Sequence, residues 1–298
     1  MTRVLVTGAD GEIGRAASAE LLRAGYDVTA LSLSYSADHP ADRVLVGDTT
    51  SVDDVAAALD GADAVAHFAA IPHPSLGTPY EVFRVNTDST FNVLEQAGSR
   101  GIRRAVIASS INALGYPNNP HRAFPPSFPL REDTPTDVAD AYSLSKSVDE
   151  QTARYAHRRH GIDVVALRFP LVKWPEVLRR AVAEVADDPA SMAREGWAYL
   201  TMADAARAVR VAIEAPTSGV LVAGLSADDT LLDEPTGALL ARYAPGIATD
   251  FPVDGSAPLV DASVAATVLG FRPAESIHDG TATAPLSAPA LTPTRNIP

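Results

Sequence analysis

Tyr142 and Lys146 stand four residues apart in the segment Tyr142-Ser143-Leu144-Ser145-Lys146. On a helix, positions i and i+4 share a face, so the ammonium would lie beside the phenol. A free tyrosine ionises near pH ~10, and a neighbouring cation favours its phenolate. Such a pair is a general base for taking a proton from an alcohol near neutral pH. A second chemical feature opens the chain: Gly8-x-x-Gly11-x-x-Gly14, after an apolar strand and at the start of a helix. Glycines there permit a tight turn, close approach of backbone to a pyrophosphate and close helix–strand packing, and the helix N-terminus attracts the phosphate charge. Glu12 and Ile13 fall inside that cradle. Proton acceptor and hydride acceptor together imply oxidation of an alcohol, run in either direction.

The elements that must hold these groups alternate strand and helix. Apolar strands are predicted at residues 4–7, 27–33, 44–46, 64–68, 105–108 and 164–168. Helical spacing runs over 14–24, 52–59, 79–100 and 142–160, with Val82, Phe83, Val85, Phe91, Val93 and Leu94 supplying a core face for the third. This alternation predicts an α/β fold with a doubly wound parallel sheet of Rossmann type. Past Arg168 the rhythm becomes irregular, and 19 of the 23 prolines lie beyond residue 115. We divide the chain into a dinucleotide-binding domain (1–170), a small substrate lobe (171–280) from which a strand or helix returns to the sheet, and an Ala/Pro/Thr-rich, linker-like tail (281–298). The proline-rich stretch 117–135, with Tyr116, Phe124 and Phe128, is read either as a lid over the site or as an inert surface loop.

The 298 residues carry no cysteine, which excludes disulfides, thiolate nucleophiles, iron–sulfur clusters and cysteine-type zinc sites; no metal site is expected. A formal charge of −13 disfavours nucleic acid and anionic membrane surfaces as partners. No apolar run approaches a membrane span, and the first strand reaches glycine too soon for a signal-peptide core, so a cytoplasmic protein is expected. Strand two ends in Ser32-Leu33-Ser34 without the acid that would select a free ribose 2′-hydroxyl. With only Ser32, Ser34 and the more distant Arg43 at hand, the choice between NAD and NADP stays open.

Further landmarks complete a recognisable series: Gly47-Asp48 after strand three, His67-Phe68-Ala69-Ala70 after strand four, Asn86 in the following helix, Ser109-Ser110 after strand five and Arg168-Phe169-Pro170 after strand six. The stretch 197–206 and the pair Asp261 and Leu269-Gly270-Phe271-Arg272-Pro273 follow in order. From Val4 to about Pro273 the chain resembles the extended short-chain dehydrogenase/reductase family, the epimerases and dehydratases that depend on NAD. The resemblance implies that Asp48 and Thr49 face the adenine, that Phe68, Ala69, Ala70 and Pro170 line the cofactor trench, and that Ser110 bonds the reacting oxygen. It further implies that Tyr142 exchanges the proton, that Lys146 holds the nicotinamide ribose, and that Asn86 supports a proton relay near the lysine. Ser110 rather than Ser109 is selected because the family's glycine five residues on falls at Gly115. The helices carrying Asn86 and Tyr142 pair as a four-helix bundle in dimers of the family, so a homodimer is expected.

Departures from the family pattern separate three reactions. Dehydratases carry an Asp-Glu pair directly after the active-site hydroxyl, where this chain has Ile111 and Asn112, which can serve neither as acid nor as base. Sugar-nucleotide epimerases commonly grip the diphosphate with an arginine whose place falls on Trp197, and Arg194 lies out of register. The compact lobe and the Ser109-Ser110 motif are similar to uronate dehydrogenases. That similarity makes Lys173 or Arg168 candidates for a substrate carboxylate, and Asn112 and His73 candidates for its hydroxyls. For Lys173 and His73 the alternative is a solvated loop residue, and for Arg168 a pairing with an acid at the sheet edge. We therefore expect a dehydrogenase acting on a secondary alcohol or lactol of a small sugar-like substrate. The alternatives are an epimerase with the same site, and an idle dinucleotide sensor.

Overall fold

A computed structural model describes residues 2–282; the expected tail falls outside them from residue 283 onward. In chain order the elements are β1 (Arg3–Thr7), α1 (Glu12–Arg23), β2 (Asp27–Ser32), β3 (Arg43–Val46), α2 (Val52–Ala58), β4 (Ala64–His67), α3 (Pro79–Ser99), β5 (Arg104–Ser110) and β6 (Ser127–Phe128). They continue with α4 (Ala141–His160), β7 (Asp163–Phe169), β8 (Leu171–Lys173), α5 (Pro175–Asp187), β9 (Tyr199–Thr201), α6 (Met202–Glu214), β10 (Val220–Gly224), α7 (Thr236–Tyr243) and β11 (Ala248–Thr249). Seven strands form one sheet in the order β3-β2-β1-β4-β5-β7-β10, every pair parallel.

The strands are nearly continuous apolar runs because both faces are covered. One face packs α1 and α6 over Val4, Val6, Val106, Val165 and Leu167. On the other face α2, α3 and α4 cover Leu5, Val65, Ile107, Val164 and Ala166. The two long helices on that side are tightly delimited. Thr78 and Glu81 form a reciprocal capping box at the start of α3, with Pro79 in the first turn. Asp140 accepts from the Ser143 amide at 2.9 Å to start α4. The chain reverses direction across the sheet at β1 and β4, whose carboxyl ends therefore part and leave a crevice.

The return of a strand or helix from the lobe was expected from the sequence, but not which residues form this seventh strand. After the irregular stretch the chain comes back through α6 and adds Val220–Gly224 beside β7, in register Val220↔Val164 to Gly224↔Arg168. Its five residues carry no helical or alternating period of their own; the open edge of β7 supplies the backbone partners that make it a strand. The remaining lobe builds a separate apolar cluster around Phe128, Trp197, Tyr199, Leu239 and Leu259, and Ile111, Leu114 and Tyr116 reach into it from the end of β5.

Candidate active site

The glycine turn sits at the crevice. A Cβ on Gly14 would stand 2.2 Å from the Gly8 carbonyl oxygen, and one on Gly8 would stand 2.6 Å from the Ala69 amide nitrogen. The turn is thus wound against itself and against the segment after β4, leaving space for no side chain there. Gly11 caps α1 without any side-chain hydrogen bond, and the first intrahelical bond runs from the Arg15 amide to the Gly11 carbonyl. The amides of Glu12, Ile13 and Gly14 are therefore left as free donors at a helix N-terminus, the arrangement a pyrophosphate needs. Arg15 ties this cradle to the loop after β2 through Asp10 and the carbonyls of Ala37 and Asp38.

The crevice wall on the β4 side is fixed from β1. Phe68 donates its amide to the Thr7 carbonyl at 3.1 Å, and Ala69 to the Thr7 hydroxyl at 3.4 Å. Ala70 and Pro170 are half-buried along the same edge. Ser32 ends β2 and accepts from the Gly47 amide at 3.0 Å. Asp48 spends one carboxylate oxygen on the Thr50 amide at 2.8 Å. Thr49 turns inward instead, buried, with its hydroxyl donating to Ser89 at 2.9 Å; an adenine contact through that hydroxyl does not fit this geometry.

Lys146 connects the helix to the sheet. Its ammonium donates to the Ala108 carbonyl of β5 at 2.9 Å and to Asp149 at 3.2 Å, and it stands 5.9 Å from the centre of the Tyr142 ring. Tyr142 occupies the first turn of α4, almost buried at 8% exposure. Ser110 closes β5 two residues after that carbonyl, so Ser110, Tyr142 and Lys146 share the carboxyl edge of the sheet. Gly115 (φ +87°) lets the segment carrying Asp137 pack against this corner, where a Cβ would lie 2.4 Å from the Asp137 carbonyl oxygen.

Ser110 accepts from both the amide and the side-chain nitrogen of Asn112, each at 3.1 Å. With its lone pairs taken, the hydroxyl proton is left to donate; its nearest acceptor, the Phe169 carbonyl, is distant at 3.4 Å. Asn112 therefore orients Ser110 rather than standing open to a substrate hydroxyl, and its own carbonyl oxygen accepts from Asn118 at 2.8 Å. Asn86 is fully buried: it braces the Ile71 backbone and donates to Ser145 at 3.0 Å, beside the lysine but not on it. His73 is exposed, its Nδ1 bonded to Ser75 at 2.7 Å, and partial desolvation lowers it from its ordinary value.

Of the two readings given for Arg168, the structure shows the pairing with an acid. Its Nε and Nη2 donate to the two oxygens of Glu150 at 2.8 and 3.0 Å, and its Nη1 donates to the carbonyls of Arg131 and Glu132. Only 7% of the side chain is exposed, and its bonds brace the sheet against the lobe. Lys173 pairs with Glu12 on the cradle rim, both partly exposed.

Several residues here were missed in the sequence. Asp149 and Glu150 lie three and four positions after Lys146, inside the buried face of α4, and charges on a core stripe were the signal that would have found them. Asn118 had none, since its contact with Asn112 is made by the path of the loop. That loop is pinned throughout: Arg194 donates to the carbonyls of Tyr116 and Pro117 at 3.1 and 2.9 Å, and β6 pairs with β11.

Residues 4–224 match the model of the "NAD dependent epimerase/dehydratase family". The chain belongs to that family. It is 31% identical to L-arabinose 1-dehydrogenase (NAD(P)(+)) of Haloferax volcanii, over 77% of this chain and 90% of that protein. Identity to the uronate dehydrogenase of Pseudomonas syringae pv. tomato is 28%, over 82% and 81%. To a UDP-glucose 4-epimerase of Corynebacterium glutamicum it is 30%, over 56% of this chain and half of that protein. Among solved structures, a short-chain dehydrogenase/reductase superfamily protein from Agrobacterium tumefaciens with bound NAD superposes with a TM-score of 0.71, at 22% identity and covering 93% and 94% of the two chains. This family member is accordingly an enzyme of the dehydrogenase/epimerase type that uses NAD or NADP. No helix among its described residues is long and apolar enough to cross a membrane.

Proposed function

We propose that the protein is a dehydrogenase that oxidises a lactol or secondary alcohol of a small, unactivated sugar-like substrate. The bound dinucleotide supplies the hydride acceptor. Ser110 holds the reacting oxygen with the proton that Asn112 leaves free, and Tyr142 removes the hydroxyl proton as carbonyl character develops. Lys146, fixed on Ala108 and Asp149, keeps a third donor for the nicotinamide ribose and places a positive charge beside the phenol.

The observation that carries the substrate class is Trp197. At the place where an epimerase's diphosphate arginine is expected, the side chain is fully buried and its indole donates to the Pro189 carbonyl at 2.8 Å. Arg194 is committed to two loop carbonyls and offers no substitute. A nucleotide diphosphate would then find no free cation at either of these two positions. The arabinose and uronate dehydrogenases, aligned over 90% and 81% of their length, are named for a free sugar and a sugar acid, whereas the epimerase aligns over half of its own.

Absorbance of reduced nicotinamide tests this reading. Free aldoses and uronates, offered with NAD and with NADP, should produce net reduced cofactor, and Tyr142→Phe should lower that rate by at least ~100-fold. Isomerised UDP-sugar without net reduction would establish the epimerase instead, and turnover undiminished in Tyr142→Phe would remove Tyr142 from the mechanism.

The outer face of α3 and α4 supports a homodimer. Tyr80, Phe91, Leu144 and Tyr155 are 42–73% exposed there, with the Phe91 and Tyr155 rings stacked 5.7 Å apart. Sedimentation should give a dimer, and Phe91→Asp a monomer.

A further inference from the structure

The active-site lysine has a partner that the reaction does not call for. Asp149 lies one helical turn beyond Lys146 on the same face, its Oδ2 3.2 Å from the ammonium, and the two side chains are 2% and 6% exposed. Its other oxygen, Oδ1, is buried with no donor in good hydrogen-bond geometry, and the only other group acting on the carboxylate by hydrogen bonding is the neutral Thr90 hydroxyl. Removing a carboxylate oxygen from water without a donor is expensive, so the position needs a reason. Nothing in packing supplies one, since a residue of similar shape without charge would fill the same space.

We infer that Asp149 is the buried counter-ion of Lys146, a positioning residue that fixes the ammonium beside Tyr142 and offsets part of its charge. Together with the Ala108 carbonyl it holds two of the three ammonium donors and so aims the third. The carboxylate is tied to the cofactor cradle through neutral groups. His67 of β4, buried to 3%, bonds the Thr7 hydroxyl at 2.7 Å and the Thr90 hydroxyl at 3.2 Å. Burial holds the Asp149 carboxyl above its ordinary value, while Lys146 and Thr90 pull the other way and favour its charged form.

On α4 the groups facing this pair are Tyr142, Asp149 and Glu150; on β4 there is His67; α3 contributes the neutral Asn86 and Thr90. Arg168 of β7 matches the charge of Glu150. Burial opposes the charge on Lys146, but Asp149, Tyr142 and Glu150 outweigh it and hold the ammonium above its ordinary value. Burial draws His67 down to about 3, with Lys146 adding to the effect, so it contributes no charge near neutral pH. Asp149 is therefore the anion nearest the lysine that no other cation neutralises. Taking its charge away leaves a more positive field at the phenol, and the first proton then leaves the site at lower pH.

The inference rests on Tyr142 being the base, but it can be read without any substrate. Protein labelled with carbon-13 at the tyrosine ζ position is titrated by NMR as wild type, Asp149→Asn and Asp149→Glu, with Tyr142→Phe assigning the signal. Asp149→Asn should ionise Tyr142 about one pH unit or more below wild type. Asp149→Glu, which keeps the charge, should return the midpoint close to wild type. If Asp149→Asn does not fold, Asp149→Ser removes the same charge and must give the same downward shift. A wild-type midpoint in the uncharged variant, or equal shifts in the charged and uncharged ones, would overturn the assignment. A shifted midpoint in a protein that oxidises no free sugar would uphold it and remove the substrate reading alone.

Discussion

Replacing Glu150 by glutamine distinguishes a structural Arg168 from one that binds substrate. In the structure the guanidinium is 7% exposed, its fork lies on both oxygens of Glu150, and Glu150 also accepts from the Ser109 hydroxyl at 2.7 Å. A glutamine keeps the shape but offers one acceptor, and its amide would face a second donor. Breaking one side of a buried pair costs about 3–5 kcal/mol because the remaining charge is left uncompensated. For a chain of this size that is roughly a ten-degree fall in melting temperature. Arg168→Met should cost a similar amount, whereas the double variant Glu150→Leu/Arg168→Met should cost clearly less than the sum of the two, because neither charge is then stranded. Calorimetry and denaturant midpoints measure all three. A bracing role for Arg168 is refuted if Arg168→Met keeps wild-type stability while raising KM for an acidic sugar, since that result would put the guanidinium on the substrate.

Three further outcomes follow from the geometry. Gly14→Ala forces backbone atoms apart from a 2.2 Å approach, so the cradle shifts by most of an ångström; we expect roughly a hundredfold lower kcat/KM, and weakened dinucleotide binding by calorimetry. Asn112→Ala removes one of the two bonds that orient Ser110, worth about 1 kcal/mol, and should lower kcat about three- to tenfold with KM little changed, as steady-state kinetics can show. His67 is held at about 3 against an ordinary value of 6.5, so it must stay neutral when folded but charges when unfolded. Its contribution is fully present above pH ~6.5 and is lost as pH falls toward 3, amounting to a few kcal/mol at about 1.4 for each tenfold difference in proton affinity. Unfolding midpoints of wild type and His67→Gln, taken from pH 7 down to pH 4, should therefore converge on acidification.

How much was legible varied with the range of the interaction. The glycine turn, the first strands and helices, and the shared face of Tyr142 and Lys146 are local patterns, and their spacing carries the geometry directly. The residues of β10 were not legible, because five apolar residues become a strand only beside the open edge of β7. For Thr49, Asn112 and Arg168 the family resemblance implied contacts to cofactor or substrate, with an acid pairing as the alternative for Arg168. Which way each side chain turned depended on a partner 40, 2 and 18 residues away: Ser89, Ser110 and Glu150.

By itself the amino-acid sequence determined the doubly wound sheet, the glycine turn and the placing of Tyr142 and Lys146 on one helix face, since backbone conformation and helical period depend on neighbours within a few residues. Only the tertiary structure decided where the charges were spent. Arg168 closes on Glu150, Lys146 on Asp149, and Trp197 fills the lobe where a cation would be needed for a diphosphate. A charge removed from water must find its counter-charge or lose its ionisation, and that choice is made by whichever elements the fold brings within a few ångströms.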